Sequence, residues 1–177
     1  MKKLMAWLFA VTVVLGVASV TVAQEAAYIL AVGDPIRIHV FEEPDLTFDR
    51  LQINDAGSIA FPFLGEIKAA GKTTTQLQQL IVQGLKPDYL LDPIVTVTVL
   101  EYRPFFLDGE VTRPGNYPFQ PGGLTLRQAI TMAGGLTERA AENKITVVPA
   151  GKKEESKVGM DYQIKPGDTI KIGQSFF

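Results

Sequence analysis

Cysteine is absent from this chain of 177 residues, and histidine occurs once, as His39. The lack of cysteine excludes disulfide bonds, thiolate zinc sites, a catalytic thiol and an acylated cysteine that would anchor the chain to a membrane. The 17 lysines and arginines nearly balance the 19 aspartates and glutamates, and no run of like charge is present. That balance argues against a nucleic-acid-binding arm.

The remaining composition is typical of a globular protein. Hydrophobic residues make up 46% of the chain and charged residues 20%, which is too apolar for a disordered polypeptide. The 16 glycines and 11 prolines predict many turns between short strands rather than a helical bundle.

The first 23 residues have the pattern of a signal peptide. Lys2 and Lys3 give a positive start, residues 4–22 form an apolar stretch, and the small residue Ala23 ends it where signal peptidase cleaves. We predict a cleaved signal peptide over residues 1–23, which directs the protein to the periplasm. The alternative is a retained anchor, because the length of the stretch is close to that of a bilayer span.

An internal repeat brackets the rest of the chain. Residues 28–38 align without gaps to residues 162–172, so that a tyrosine, a Gly-Asp pair and alternating isoleucines recur in register. Glycine at this position supplies the positive φ of a type II turn, and a strand with alternating apolar residues follows. The recurring residues are Tyr28, Gly33 and Asp34 in the first copy and Tyr162, Gly167 and Asp168 in the second.

Two capping boxes predict one helix in each half of the chain. They begin at Thr73 and Thr125, each followed three residues later by glutamine and then by apolar residues at helical spacing. Gly134-Gly135 is a typical C-terminal stop for the second helix. We place a module boundary at residues 103 and 104, where proline follows a long strand without a flexible linker. The chain is therefore predicted to be an α+β protein of two closely packed units, each with one main helix among short strands.

Turn residues predict how several strands are connected. Residues 50–53 and 58–61 flank a turn that ends at Gly57, which predicts a hairpin. Pro114-Gly115 predicts a type II turn between residues 105–111 and 116–119.

The strongest strand signal follows Asp92-Pro93, where residues 94–100 alternate between threonine and valine or other apolar residues. This alternation predicts that Val95, Val97 and Val99 face the core.

No spacing in the chain encodes catalysis, so we predict no catalytic residue, no cofactor and no metal. The only base for a hydrolytic triad is His39, which lies in a predicted strand and is interpreted as structural. A group of acidic residues lacks the alternation of a calcium-binding EF-hand, which favours a solvated loop over a calcium site or a pair of glycosidase carboxylates. The acidic residues are Asp34, Glu42, Glu43, Asp45 and Asp49.

The order of these landmarks resembles the polysaccharide export domain of bacterial outer-membrane export proteins of the Wza type. This resemblance covers nearly all of residues 28–100, and residues 107–137 resemble the soluble-ligand-binding β-grasp (SLBB) domain that follows it in the family. The motif residues, all interpreted as turns and caps, are Tyr28, Gly33, Asp34, Gly57, Pro62, Gly65, Gly71, Thr73, Asp92, Pro93, Gly109, Pro114, Gly115, Gly134, Gly135, Gly167 and Asp168.

The resemblance implies an export domain over residues 24–103 and an SLBB β-grasp domain over residues 104–177. It further implies a protein associated with the outer membrane that assembles as a homo-oligomeric ring and passes capsular or exopolysaccharide outward. The implied partners are the polysaccharide in transit and an inner-membrane polysaccharide co-polymerase. A separate outer-membrane β-barrel is a further candidate partner, and the charge balance predicts no nucleic acid. Candidates for the lumen of the ring are Arg37, Lys171 and the charged loop 42–49.

Two departures from the family limit what is carried over. Gln24 stands where known members have a lipidated cysteine, so we do not expect a lipoprotein. We also expect no counterpart of the C-terminal amphipathic helix with which those members cross the outer membrane. Two other hypotheses stay open: a monomeric periplasmic glycan-binding or adaptor module, and a glycan hydrolase that uses the acidic residues.

Overall fold

The computed structural model describes residues 28–175, which form an α+β fold with two α-helices. The predicted signal peptide at residues 1–23 lies outside these residues. No helix in the described range has the length and apolar character needed to cross a bilayer. The helices are α1 (Thr74–Leu85) and α2 (Leu126–Met132). The strands are β1 (Pro35–Val40), β2 (Phe48–Gln52), β3 (Ser58–Phe61), β4 (Gly65–Lys68), β5 (Val95–Val99), β6 (Phe105–Gly109), β7 (Gly115–Tyr117), β8 (Leu124–Thr125), β9 (Ala140–Val148), β10 (Ser156–Lys157), β11 (Gln163–Ile164) and β12 (Thr169–Gln174).

The first unit packs α1 against an antiparallel sheet of order β2-β1-β5, with the hairpin β3-β4 beside it. Strand β1 lies opposite β5 with Ile36 facing Val99 and Ile38 facing Val97. The predicted inward face of β5 is confirmed, since Val95, Val97 and Val99 are all buried. Helix α1 closes this core with three further buried residues, Leu77, Ile81 and Leu85.

The second unit has a five-stranded sheet of order β10-β9-β12-β6-β7, in which β12 runs parallel to β6 and the other pairs are antiparallel. Helix α2 and the short pair β8-β11 complete this unit. Its separate core includes Phe105, Ile145 and Ile170, each fully buried. Each unit therefore has its own apolar core and one α-helix.

Both predicted capping boxes are confirmed. The Gln76 backbone N–H donates to Thr73 Oγ1 at 3.1 Å, and the Gln128 backbone N–H donates to Thr125 Oγ1 at 3.3 Å. In each box the glutamine side chain accepts in return from the backbone N–H of the threonine. Each such cap stabilises its helix by about 1 kcal/mol.

The predicted hairpin between residues 50–53 and 58–61 is wrong. The turn itself is present, because Gly57 has a φ of 73° and the Asn54 N–H donates to the Ser58 carbonyl at 2.9 Å. The flanking strands pair elsewhere, however: β2 with β1 and β3 with β4. A turn signal is local, whereas the choice of partner strand is decided by which pairing buries more apolar surface.

The prediction of a type II turn at Pro114-Gly115 is also wrong. Gly115 has a φ of 153° and begins β7, whereas a type II turn requires about +80°. The connection is instead held against the end of α2, where the backbone N–H groups of Thr112 and Arg113 donate to the carbonyls of Gly135 and Ala133. These contacts replace the hydrogen bond that closes a four-residue turn.

Candidate functional site

Both copies of the internal repeat form the same hydrogen-bonded turn. In the first copy the Tyr28 hydroxyl donates to Asp34 Oδ2 at 2.7 Å, and the Ala31 backbone N–H donates to the same oxygen at 2.8 Å. In the second copy the Tyr162 hydroxyl donates to Asp168 Oδ2 at 2.8 Å, and a backbone N–H three residues earlier donates at 2.9 Å. Both aspartates are only 1% exposed. Both aspartates are therefore buried acceptors that hold their turns together. Asp34 does not belong to the solvated acidic loop predicted from the sequence.

The environment of the two tyrosines favours their protonated form. Burial, the largest cause, raises the pKa of Tyr28 to about 12, although the hydrogen bond from Arg103 acts in the opposite direction. Burial also raises the pKa of Tyr162, and the hydrogen bond to Asp168 raises it further. Each tyrosine thus stays a hydrogen-bond donor to its aspartate throughout the neutral range.

Arg103 joins the first turn to the junction between the units. Its Nε atom donates to the Tyr28 hydroxyl at 3.1 Å and lies 3.1 Å from Asp34 Oδ1, while Nη2 donates to the Ile29 carbonyl at 3.1 Å. The guanidinium carbon lies 5.4 Å from the centre of the Tyr28 ring, within the range of a cation–π contact. The second turn reaches the same junction, because the Gly167 N–H donates to the Pro104 carbonyl at 2.9 Å.

The remaining motif residues lie at turns, caps and close backbone contacts. A Cβ atom at Gly109 would lie 2.1 Å from the Ile172 carbonyl oxygen, and one at Gly57 would lie 2.8 Å from Ala70 Cβ. Only glycine fits such positions without movement of the neighbour. Pro62 and Gly65 lie in or beside the β3-β4 loop, Gly71 precedes α1, Asp92 and Pro93 precede β5, Pro114 precedes β7, and Gly134 and Gly135 follow α2.

The exposed face of the first sheet is polar. His39 and Arg37 on β1 lie opposite Thr96 and Thr98 on β5, and together they line an open depression of about 340 Å³. Arg37 also pairs with Asp49 at 3.0 Å. The depression has hydroxyl, imidazole and guanidinium groups but no nucleophile paired with a base. No group of three or more His, Cys, Asp or Glu residues within 28–175 is placed to hold a metal ion.

The sequence patterns did not indicate a second depression, here called the aromatic cleft. Its volume is about 300 Å³, and it is lined by Glu43, Asp45, Leu46, Phe63, Tyr89 and Leu90. The rings of Phe63 and Tyr89 stack with their centres 4.7 Å apart and their planes at 23°. Phe63 is 64% exposed and Tyr89 48%. The stacked pair thus presents aromatic surface to solvent beside two carboxylates.

Comparison with known proteins assigns both units to described families. Residues 22–100 match the family described as polysaccharide biosynthesis/export protein, and residues 104–161 match the SLBB domain. The chain belongs to the polysaccharide biosynthesis/export family. This membership agrees with the resemblance carried by the motif residues.

Three relatives of this chain are named for polysaccharide production, export or transport. The exopolysaccharide production protein ExoF of Rhizobium meliloti (strain 1021) is 32% identical, covering 73% of this chain and 32% of ExoF. The EPS I polysaccharide export outer membrane protein EpsA of Ralstonia nicotianae is 30% identical, covering 74% of this chain and 41% of EpsA. The polysialic acid transport protein KpsD of Escherichia coli is 31% identical, covering 86% of this chain and 29% of KpsD. The chain thus spans less than half the length of each of these relatives.

Proposed function

We propose that this protein is a periplasmic, outer-membrane-associated component of a machine that exports capsular or exopolysaccharide. The observation that carries this proposal is the succession of an export domain and an SLBB domain in one chain. The relatives' names support it, since EpsA is named as an outer-membrane polysaccharide export protein and KpsD as a polysialic acid transport protein. Signal-peptide cleavage after residue 23, without lipidation, is part of the proposal.

The proposal divides the chain into an export domain at residues 24–103 and an SLBB domain at residues 104–177. Two separate apolar cores support this division. The hydrogen bonds of Arg103 and the contact of Gly167 with Pro104 support close packing of the two domains.

We further infer that several copies close into a ring with an aqueous lumen. Strands β2, β5 and β7 lie at sheet edges and present unpaired backbone groups, which suit contacts between neighbouring copies. Identical head-to-tail contacts generate a ring when the rotation closes. The polar face around Arg37 and the exposed Lys171 and 42–49 loop are candidates for the lumen wall.

In this mechanism the protein conducts polymer and catalyses no reaction. A hydrated glycan passes a polar wall by exchanging weak hydrogen bonds with side chains for hydrogen bonds with water, whereas tight binding would stop its movement. An inner-membrane co-polymerase supplies the polymer, and a separate outer-membrane β-barrel receives it.

The ring is tested by size-exclusion chromatography with light scattering on protein isolated from cells that express the full chain. We expect a closed oligomer of fixed mass. A strict monomer at high concentration, both with and without detergent, would contradict the ring and favour a monomeric glycan-binding or adaptor module.

A further inference from the structure

The backbone around the aromatic cleft is strained at two positions. Within residues 28–175, the non-glycine residues with left-handed φ are Glu42, at 61°, and Phe63, at 65°. Residues other than glycine rarely adopt this region, because it brings the side chain into steric conflict with the backbone. Phe63 lines the cleft and Glu42 directly precedes Glu43, which also lines it. Core packing does not explain the strain at Phe63, because its side chain is largely exposed.

Neighbouring contacts fix the chain next to each of the two rings. Leu64, next to Phe63, packs over Gly84 of α1, where a Cβ atom would lie 2.8 Å from Leu64 Cδ1. The loop that carries Tyr89 is fixed at its start, because the Tyr89 N–H donates to the Leu85 carbonyl at 3.1 Å. The cleft is therefore preorganised, which lowers the entropy cost of binding a ligand.

The chemistry of the cleft fits an uncharged, hydroxyl-rich ring. The face of an aromatic ring carries partial negative charge and attracts the weakly positive C–H groups on the face of a sugar ring. The carboxylates of Glu43 and Asp45 accept hydrogen bonds only, which suits sugar hydroxyl donors. Among the described residues that line the cleft there is no lysine or arginine, so an anionic sugar is repelled without compensation.

From these observations we propose that the aromatic cleft binds a neutral sugar residue of the exported polysaccharide. Phe63, the more exposed ring, stacks on the sugar with Tyr89 stacked behind it, and Glu43 and Asp45 accept hydrogen bonds from the hydroxyl groups of the sugar. The inference rests on the proposed export function, which brings polymer to this surface. The open cleft holds one sugar weakly, so the contact guides the polymer without stopping it.

Binding is tested on purified full-chain protein with neutral tetrasaccharides of glucose, galactose and mannose, using saturation-transfer NMR and titration. Oligogalacturonate serves as the anionic probe. We expect at least one neutral probe to bind, with its C–H protons closest to the protein, and the anionic probe to bind at least tenfold more weakly. If no neutral probe binds, or if the anionic probe binds as well as the neutral ones, the proposal is overturned.

Substitutions then locate the site. Phe63→Ala and Phe63→Leu remove the stacking ring and should weaken binding at least tenfold, whereas Phe63→Tyr should retain it. The leucine variant keeps an apolar side chain and guards against a folding defect in the alanine variant. Phe106→Ala is the matched control, because Phe106 is a 42% exposed aromatic residue in the other unit, away from the cleft. Equal loss in Phe63→Leu and Phe106→Ala would overturn the proposal.

A cellular assay separates this proposal from the export function itself. In a strain lacking the gene, the wild-type gene should restore surface polysaccharide, and Phe63→Leu should restore less at equal protein level. If the Phe63→Leu protein no longer assembles into the oligomeric ring but still binds sugar, the cleft is a subunit contact and the proposal is overturned. If export stays intact in the deletion strain, the proposed export function is wrong. The binding titration then remains an independent test of the aromatic cleft.

Discussion

Arg103 Nε lies 3.1 Å from Asp34 Oδ1, which places the positive charge of Arg103, at the junction between the two units, beside an aspartate that is only 1% exposed. The same Nε–H donates to the Tyr28 hydroxyl, so one side chain contacts both members of the first Tyr-Asp turn. Asp34 Oδ1 and Asp168 Oδ1 both lack a hydrogen-bond partner among residues 28–175, but of the two only Asp34 has a cation within ion-pair distance. Two copies of one sequence motif therefore have different electrostatic surroundings, and the first depends on the junction.

Replacing Arg103 by alanine should lower the free energy of unfolding by about 2–3 kcal/mol. The change leaves the buried Asp34 carboxylate without its cation and removes the hydrogen bonds to Tyr28 and Ile29. Urea denaturation followed by circular dichroism measures the loss. Arg50→Ala is the matched control, because its pair with Glu101 is exposed on both sides and should contribute less than about 0.5 kcal/mol. Equal effects of the two substitutions would refute the role of Arg103.

Stability should fall as the pH rises from 10 towards 12. The unfolded chain loses tyrosine protons near pH 10, whereas Tyr28 keeps its proton to about pH 12 and the pKa of Tyr162 is raised as well. The unfolded state therefore binds fewer protons in this window, and stability decreases with pH. Urea midpoints between pH 8 and 12 measure the slope. The double variant Tyr28→Phe and Tyr162→Phe should be less stable at pH 8 but show a smaller slope, and an unchanged slope would count against this explanation.

Gly33 and Gly109 offer a matched pair, because both have a φ of 85°. No atom lies within 4 Å of a Cβ at Gly33, so Gly33→Ala adds only the cost of the left-handed conformation, about 1 kcal/mol. At Gly109 the Cβ would also collide with the Ile172 carbonyl oxygen. Gly109→Ala should therefore cost more than about 3 kcal/mol or prevent folding, as measured by thermal unfolding and soluble yield. Similar losses of stability for both substitutions would show that the contact between the new Cβ and the Ile172 carbonyl oxygen is relieved at little cost in free energy.

Gly84→Ala tests how the cleft is positioned. The new methyl group would push Leu64 outward and displace the adjacent Phe63 ring from Tyr89. Because alanine favours helix by roughly 1 kcal/mol over glycine, α1 should stay folded while neutral tetrasaccharide binding weakens several-fold. NMR titration gives the affinity, and circular dichroism checks the helix. Unchanged affinity would show that Leu64 does not position Phe63.

The features predicted from the sequence were those encoded within a few residues. The caps at Thr73 and Thr125 depend on residues three positions apart, and the turns at Gly33 and Gly167 depend on one glycine with positive φ. The inward face of β5 follows from strict alternation over five residues. Each of these signals is local, so tertiary packing had little opportunity to override it.

The features that were missed join distant parts of the chain. Arg103 contacts Tyr28 across 75 positions, and no spacing rule connects them. The hairpin of β2 with β3 was predicted from a correct turn, but β2 pairs with β1 instead. Phe63 and Tyr89 lie on separate loops that meet where Leu64, in the loop between β3 and β4, packs over Gly84 of α1. An aromatic residue between Pro62 and Leu64 in a turn was the one local hint of exposed aromatic surface.

The account is tested most directly by the location of polysaccharide in a strain that lacks the gene. Polymer should disappear from the cell surface, accumulate in the periplasm or stop being made, and return to the surface when the wild-type gene is supplied. Quantifying surface and periplasmic polysaccharide in the deletion and complemented strains makes this measurement. Unchanged surface polysaccharide in the deletion strain would contradict the assignment of this chain to the export path.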